Sequence, residues 1–423
     1  MQISLVFPKS TFLIDPLVYP PLGLWYLAAQ LEAQGHQCDF FDLSVDELPQ
    51  DGEYDQMWVS ATSPQLHEVR RIGNETWLWK KTHTVLGGPA VWARPQIGRE
   101  LGFGTVVAGE SDHPDTIRHL VQFARMGDPY NPQLYEPPIT QGDLTWVLPP
   151  VRRWDTKYHA WLDGHDGVQH RTTTLFTSRG CPMACAFCES GRNGVIWSRF
   201  VRYEPLDIVE RQIKEAVERG HTGLMYYDDI LPLNKPRTLA LMEIHKKYNV
   251  VWRCFLRTDV IAKQGGYDYL KEMADAGLLE VLAGVESADN RIKSNISKGT
   301  TIEQDTLALQ WCKDLGIKFK ASLILGLPGE TRESMERTRE WILINRPDRV
   351  DVNTLIPFPG TPITSHPNDY DVQWAEELPE EFWYKGPRDD TQAIVGTSSL
   401  SPDEIKDFHN SLMIELRELG IPY

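Results

Sequence analysis

The hydrophobic pattern of this chain changes period several times. QISLVF (residues 2–7) is a short apolar run, followed by a loop that holds Pro8, Pro16, Pro20 and Pro21. LGLWYLAAQLEAQG then places Leu24, Leu27, Ala28 and Leu31 at helical spacing and stops at Gly35, a natural helix terminator. Further short apolar runs appear as CDFFDL, DQMWVSAT, THTVLGGP and GTVVAGE. Apolar strands alternating with helical stretches predict an α/β fold. Residues 1–125 are expected to form a doubly wound, Rossmann-like parallel sheet of the flavodoxin type, with about five strands.

Residues 126–170 are rich in Pro, Gly, Asp and Trp, show little periodicity, and read as a linker. Its aromatics Trp146, Trp154, Tyr158 and Trp161 are expected mainly to pack. From Arg171 the pattern is regular, with strands expected near 173–178, 222–227, 250–257, 279–285, 317–325 and 350–356. LDIVERQIKEAVERG, between the first two, puts Ile208, Val209, Ile213 and Val217 on one helical face. Gly220, Gly277 and Gly316 are expected helix caps. Six βα units over 171–365 predict a partial (β/α)6 TIM-like barrel, with chemistry at the carboxyl ends of its strands. Residues 366–423 are a small C-terminal extension, with an aromatic patch at Phe382, Trp383 and Tyr384. A final helix is expected after Ser401, with Pro402 as its first residue.

Composition narrows the class. The 423 residues are 41% hydrophobic and 24% charged, as in an ordinary globular chain of two or three domains. A net charge of −16 argues against a nucleic-acid partner, since phosphate binding needs a basic surface. No apolar run reaches the ~18 residues of a membrane span, and MQISLVFPKS lacks the basic start of a signal peptide. Six cysteines are too few for a disulfide scaffold and point to a reducing cytoplasm.

Half of those cysteines fall in SRGCPMACAFCES, as Cys181, Cys185 and Cys188. Spacings of this kind let three thiolates converge from one loop on a soft metal centre. Three are one short of the four that a zinc site or a fully ligated 4Fe–4S cluster takes. A fourth ligand from Cys38, Cys254, Cys312 or a histidine would make a structural zinc site. Without one, a cluster keeps an iron open to a small molecule.

The stretch resembles the CxxxCxΦC signature of the radical S-adenosylmethionine (SAM) enzymes, with Phe187 as the aromatic. In that family the three cysteines hold three irons of a 4Fe–4S cluster, and the open iron takes the amino and carboxylate groups of SAM. One electron then splits the sulfonium to give a 5′-deoxyadenosyl radical. The resemblance continues at successive strand ends. YYDDILPLN stands where the family has GGE, which makes Asp228 and Asp229 candidates for the ammonium group. WRCFLRTD offers Arg257 for the carboxylate. AGVES offers Glu286 and Ser287 for ribose or methionine contacts. LILGLPGET is similar to the adenine-binding segment, through Gly326, Pro328 and Gly329, and IPFPGTPI matches the PGTP segment.

The N-terminal segment is similar to the cobalamin-binding domains that precede many such enzymes, in PPLGLWYLAAQLEAQGH, LGGP and VVAGE. This resemblance points to Ser60, Thr62, Gly87, Gly88, Gly109 and Glu110 as cobalamin contacts. The DxHxxG motif that supplies a cobalt ligand elsewhere is absent, because His36, His67, His83 and His113 lack its spacing. The family implies a radical SAM enzyme with a 4Fe–4S cluster, SAM and cobalamin, transferring a methyl group to an unactivated carbon of a small molecule or peptide. It also implies an external one-electron reductant such as flavodoxin or ferredoxin. Two alternatives stand beside it: a cobalamin-independent rearrangement, cyclisation or oxidation with the N-terminal domain as scaffold, and a non-catalytic zinc protein.

Overall fold

The computed structural model describes all residues except 11, 12, 14, 127–132, 138–141, 166, 191–199 and 376–390. Among the described residues, one compact unit draws on Met1–His159 and Arg202–Gln212, the other on Ala160–Val201, Ile213–Leu378 and Asp389–Tyr423. Phe382, Trp383 and Tyr384 lie outside the described residues.

The first unit runs β1 (Gln2–Phe7), α1 (Leu22–Ala33), β2 (Gln37–Asp42), β3 (Gln56–Ser60), α2 (Leu66–Thr76), β4 (His83–Gly87), α3 (Pro89–Trp92), α4 (Pro95–Glu100), β5 (Thr105–Val107), α5 (Pro114–Ala124) and β6 (Gln133–Tyr135). The strands pair in the order β2-β1-β3-β4-β5-β6, all parallel. This is flavodoxin-type winding, in which strand order reverses between β1 and β3 and leaves a crevice beyond their carboxyl ends. Val6, Met57, Val59, Leu86 and Val106 pack with Val69, Ile72 and Ile97 in the core. Each such side chain contributes about 1.5–3 kcal/mol by leaving water.

The sheet has a sixth strand, β6, inside the stretch expected to be linker. Three half-exposed residues carry no readable period; their strand geometry comes from pairing with β5. Trp154 and Tyr158 close on Trp25 at ring distances of 6.5 and 5.7 Å, and Trp146 packs on His113 at 4.9 Å. Trp161 instead stays 51% exposed.

Chain order continues through β7 (Ala160–Asp163), β8 (Gln169–Leu175), β9 (Ser178–Arg179), β10 (Arg202–Tyr203), α6 (Leu206–Glu218), β11 (Gly223–Tyr226), α7 (Lys235–Tyr248), β12 (Val251–Leu256), α8 (Thr258–Lys263), α9 (Tyr267–Asp275), β13 (Leu278–Glu286), α10 (Asn290–Asn295), α11 (Ile302–Asp314), β14 (Lys318–Leu325), α12 (Arg332–Asn345), β15 (Arg349–Thr354), α13 (Pro362–Ser365) and, last, α14 (Pro402–Glu418). The seven-stranded sheet has the order β15-β14-β13-β12-β11-β8-β7. Five of its six parallel strands lie where the sequence predicts them, within a residue or two. β8 covers Gln169–Leu175 rather than 173–178 and so starts inside the expected linker. β7, from the supposed linker, adds an antiparallel edge.

Along β12 and β14 buried residues alternate with half-exposed ones. Trp252, Cys254 and Leu256 are buried on the helix-covered side, where the Trp252 indole donates to Ala276 O beyond α9 at 2.8 Å. Arg253 and Phe255 face the other way. On this inner wall Arg253 pairs with Glu280 at 3.0 Å and Lys320 with Asp351 at 3.6 Å. At the base, Asp163 on one edge strand meets Arg349 on the other at 3.1 Å, and Asp163 O accepts from Lys318 at 2.9 Å. The sheet therefore curls into a half-barrel. α14 starts as expected, with Ser401 and Glu404 forming a reciprocal capping box. It covers the β15 edge, where His409 meets Val352 O at 3.1 Å and Val350 N donates to Pro422 O at 2.9 Å. Among the described residues no helix is long and apolar enough to cross a membrane.

Candidate functional site

The cysteine loop leaves the half-barrel just beyond β8. Its exit is fixed by Asp228, which is 1% exposed and follows β11. Asp228 accepts from Thr177 N at 2.8 Å, from Thr177 Oγ1 at 2.7 Å and from the Ser178 hydroxyl. Further along, Ala186 N donates to Ile296 O at 2.9 Å and Ala186 O accepts from Ile363 N at 3.3 Å. Cys181 and Cys185 are buried, while Phe187 and Cys188 keep part of their surface. Cys181 packs against Ile230 and Val260.

Burial pushes the Cys181 thiol up to about 11 and that of Cys188 to about 12, and the carboxylate of Asp229 and the neighbouring cysteines add to the rise. Such thiols stay protonated at neutral pH and make poor nucleophiles. A cationic metal centre would deprotonate them, so the donor set fits a soft metal cluster. Among the described residues no three His, Cys, Asp or Glu side chains close around one point, as a single ion requires. Thiolates bound to different irons of one cluster need no such convergence.

Asp229 is half-buried, and burial raises its carboxyl to about 7 against hydrogen bonds from Ser190 and the Gly180 N–H. It is the acid beside the cysteines that an ammonium group could claim. Arg257 is 7% exposed and each of its three nitrogens has a partner. Nε reaches Asp259 at 3.1 Å, Nη1 reaches Cys185 Sγ at 3.4 Å, and Nη2 donates to Lys298 O. Lys298 in turn holds Glu286 at 2.6 Å. Glu286 sits at φ 64°, a conformation rare outside glycine, where the β13–β14 register shifts. A Cβ on Gly284 would come within 2.2 Å of Glu286 Oε1 and 2.6 Å of Lys298 Nζ, so this pair requires glycine there.

Ser287 is fully buried, and its hydroxyl accepts from Asp289 N at 3.2 Å, which orders the loop after β13. Beneath Arg257 and Glu286, Lys293 pairs with Asp305 at 2.5 Å, both essentially without exposure. Asp305 also accepts from Thr258 Oγ1 at 2.6 Å, and Lys293 donates to Val285 O at 2.5 Å. Past β14, Gly326 adopts φ 82°, and the loop is pinned by Pro328 O accepting from Asn295 at 3.0 Å.

Sequence reasoning missed Asp259, Lys298, Lys293, Asp305 and Glu330. Only Glu330 carried a local signal, an acid placed between a Gly turn and the helix cap Thr331. Its Oε2 accepts from Gly326 N at 2.6 Å and Leu327 N at 3.1 Å, its Oε1 has no hydrogen-bond partner, and burial raises its carboxyl to about 8. The folded chain thus holds this proton more tightly than the unfolded one. Stability present below about pH 4.5 is lost as pH rises through 8, by at most about 1.4 kcal/mol per pH unit. Glu330→Gln is expected to remove that slope from Tm measured between pH 5 and 8 while matching the parent near pH 5.

In the first unit, Ser60, Thr62 and Gly87 cluster at the ends of β3 and β4 near the switch point. There the Gln65 amide ties Pro8 O and Ser10 Oγ to the Thr62 turn. Gly88 serves the protein itself, because a Cβ there would lie 2.5 Å from Ala61 O. Glu110 is buried in a two-pronged pair with Arg202 at 2.6 and 3.3 Å. Gly109, at φ 147°, approaches Pro137 closely enough that a Cβ would meet it at 3.0 Å. The strand order fits a ligand in the crevice; no DxHxxG histidine is available to it.

Residues 175–342 match the family model described as the radical SAM superfamily. An uncharacterised methyltransferase of Pyrococcus horikoshii is 28% identical over 406 residues, 85% of this chain and 82% of its own. The anaerobic magnesium-protoporphyrin IX monomethyl ester cyclase of Rubrivivax gelatinosus is 26% identical, over 81% of this chain and 65% of its own. The fold resembles that of the radical SAM methyltransferase TsrM from Kitasatospora setae, with TM-score 0.63, 17% identity and coverage of 86% and 76%. It also resembles that of OxsB, a cobalamin-dependent SAM radical enzyme, with TM-score 0.65, 14% identity and coverage of 99% and 67%. The matched residues run from the end of β8 through the cysteine loop to α12, so it is this part of the chain that carries the match to the radical SAM superfamily.

Proposed function

We propose that this protein is a cobalamin-dependent radical SAM methyltransferase acting on an unactivated carbon. The observation that carries the reading is the trio of free thiols beyond the carboxyl end of the first barrel strand, in a loop anchored by Asp228 at its start and by Ala186 within it. Methyltransferase names among the relatives support it. When bound, the cluster and SAM supply reductive cleavage of the sulfonium, and cobalamin supplies the methyl group.

The residues divide the remaining work. Cys181, Cys185 and Cys188 hold the cluster, with Phe187 in the same loop. Asp229 accepts the ammonium group of SAM, since Asp228 is committed to Thr177 and Ser178. The Gly326–Gly329 turn offers its backbone to the nucleoside base, with Pro328 fixing its course. Glu286 and Ser287 shape the rim from beneath, the first through Lys298 and the second through Asp289. In the first unit Ser60, Thr62, Gly87 and Gly109 line the crevice that takes cobalamin, and Gly88 and Glu110 fix its walls. A small molecule or peptide is the substrate, an external flavodoxin or ferredoxin the electron source, and the cytoplasm the setting.

Anaerobic incubation with SAM, titanium(III) citrate and hydroxocobalamin is expected to yield 5′-deoxyadenosine together with S-adenosylhomocysteine, the latter as the reduced cobalamin takes the methyl group of a second SAM. The first product without the second would remove methylation. Cobalamin-independent cyclisation is the second reading, favoured by the cyclase relative and the missing DxHxxG motif. Unperturbed absorbance of added hydroxocobalamin would select it.

A further inference from the structure

We propose that Arg257 is a positioning residue that sets the reduction potential of the cluster through its bond to Cys185. The inference rests on the reading of the three cysteines as cluster ligands. The environments of the three sulfurs differ. Cys181 and Cys188 receive backbone N–H groups, from Met183 and Ser190. Cys185 receives the Arg257 guanidinium, at 3.4 Å. That guanidinium is 7% exposed and anchored on either side of the sulfur contact, by Asp259 at 3.1 Å and by Lys298 O. Arginine has donors only and a planar fork, so these anchors fix its plane and leave Nη1 aimed at the thiolate.

A second buried cation stands nearby. The Lys298 ammonium interacts with Cys185 and is kept in place by Glu286, whose left-handed backbone and Gly284 neighbour exist to accommodate it. Away from water, a charged donor interacts strongly with sulfur. When the cluster accepts one electron from its reductant, negative charge rises on the cluster and its thiolates. A cation bonded to Cys185 stabilises the reduced state more than the oxidised one, so it raises the potential. Each nitrogen of Arg257 is thereby committed to the protein, one of them to the cluster-side sulfur.

The test uses the full chain, reconstituted anaerobically as parent, Arg257→Gln and Arg257→Lys, without SAM. Iron content is measured first, then the midpoint potential by dithionite titration followed by electron paramagnetic resonance. Arg257→Gln is expected to shift the midpoint to more negative values by at least tenfold in the reduction equilibrium, about 59 mV for a one-electron couple. Arg257→Lys is expected to fall between the two, because an ammonium keeps the charge without the fork. Should Arg257→Gln take up no iron, the Arg257→Lys midpoint decides: a negative shift supports the proposal and an unchanged value overturns it. Unchanged midpoints in both variants would overturn it, and weakened binding in a separate SAM titration would then favour a carboxylate clasp. A parent that takes up no iron would instead refute the cluster reading.

Discussion

Replacing Cys185 by alanine is expected to reduce iron incorporation from about four atoms per chain to background and to abolish 5′-deoxyadenosine formation. Two thiolates would remain, too few to retain a cluster that already lacks a fourth protein ligand. The Arg257 guanidinium, buried against that sulfur, would lose its partner as well. Iron assay, visible absorbance and chromatography of SAM products read the outcome directly. Cys38→Ser, Cys254→Ala and Cys312→Ala serve as controls, since these buried cysteines lie outside the loop. Each control is expected to retain parental iron. Loss of metal in any one of them, with zinc in place of iron, would revive the structural zinc site and defeat the cluster assignment.

Asp305→Ala is expected to destabilise the second unit by about 3–5 kcal/mol, because it leaves the Lys293 ammonium buried and unpaired. Desolvation already pushes Lys293 below and Asp305 above their ordinary values. The pair therefore survives on its mutual contact and on bonds to Thr258 and Val285. Those two residues adjoin Arg257 and Glu286, so the damage should reach the site: cluster uptake should fall along with a Tm drop of roughly 10 °C. The double variant Lys293→Met with Asp305→Leu is expected to recover most of the Tm, as apolar replacements of buried ion pairs often do. A single variant that melts like the parent would show that the pair carries no such burden.

The half-barrel was legible because most of its strands are apolar or alternating runs between helical stretches, and VLAGVES or KASLILGLPG announces itself without tertiary knowledge. β6 and β7 were not, being three and four residues long and defined by neighbours that pair with them. The cysteine loop is local in sequence and so was fully readable. Its supports are not. Arg257 and Lys298 are 41 residues apart, Lys293 and Asp305 meet only when the loop after β13 folds back, and nothing in a linear pattern marks which charges will be buried together. For the same reason the sequence offered Asp228 and Asp229 as equals and gave no sign that Arg257 would meet Cys185. The fold commits Asp228 to Thr177 and Ser178 and sets Asp229 against Ser190 and Gly180.

The ion pair between Asp163 and Arg349 lies at the foot of the arc, both partners more than 40% exposed. Worth about 0–1 kcal/mol, it records the curvature more than it enforces it. A strand the length of β14 puts it roughly 26 Å from the cysteine end, well beyond the ~10 Å screening distance in 0.1 M salt. Electrolyte can therefore loosen the foot without the far rim sensing it. Engineers gain a quiet corner there, where a tether or surface anchor can be grafted while the oxygen-sensitive end stays undisturbed.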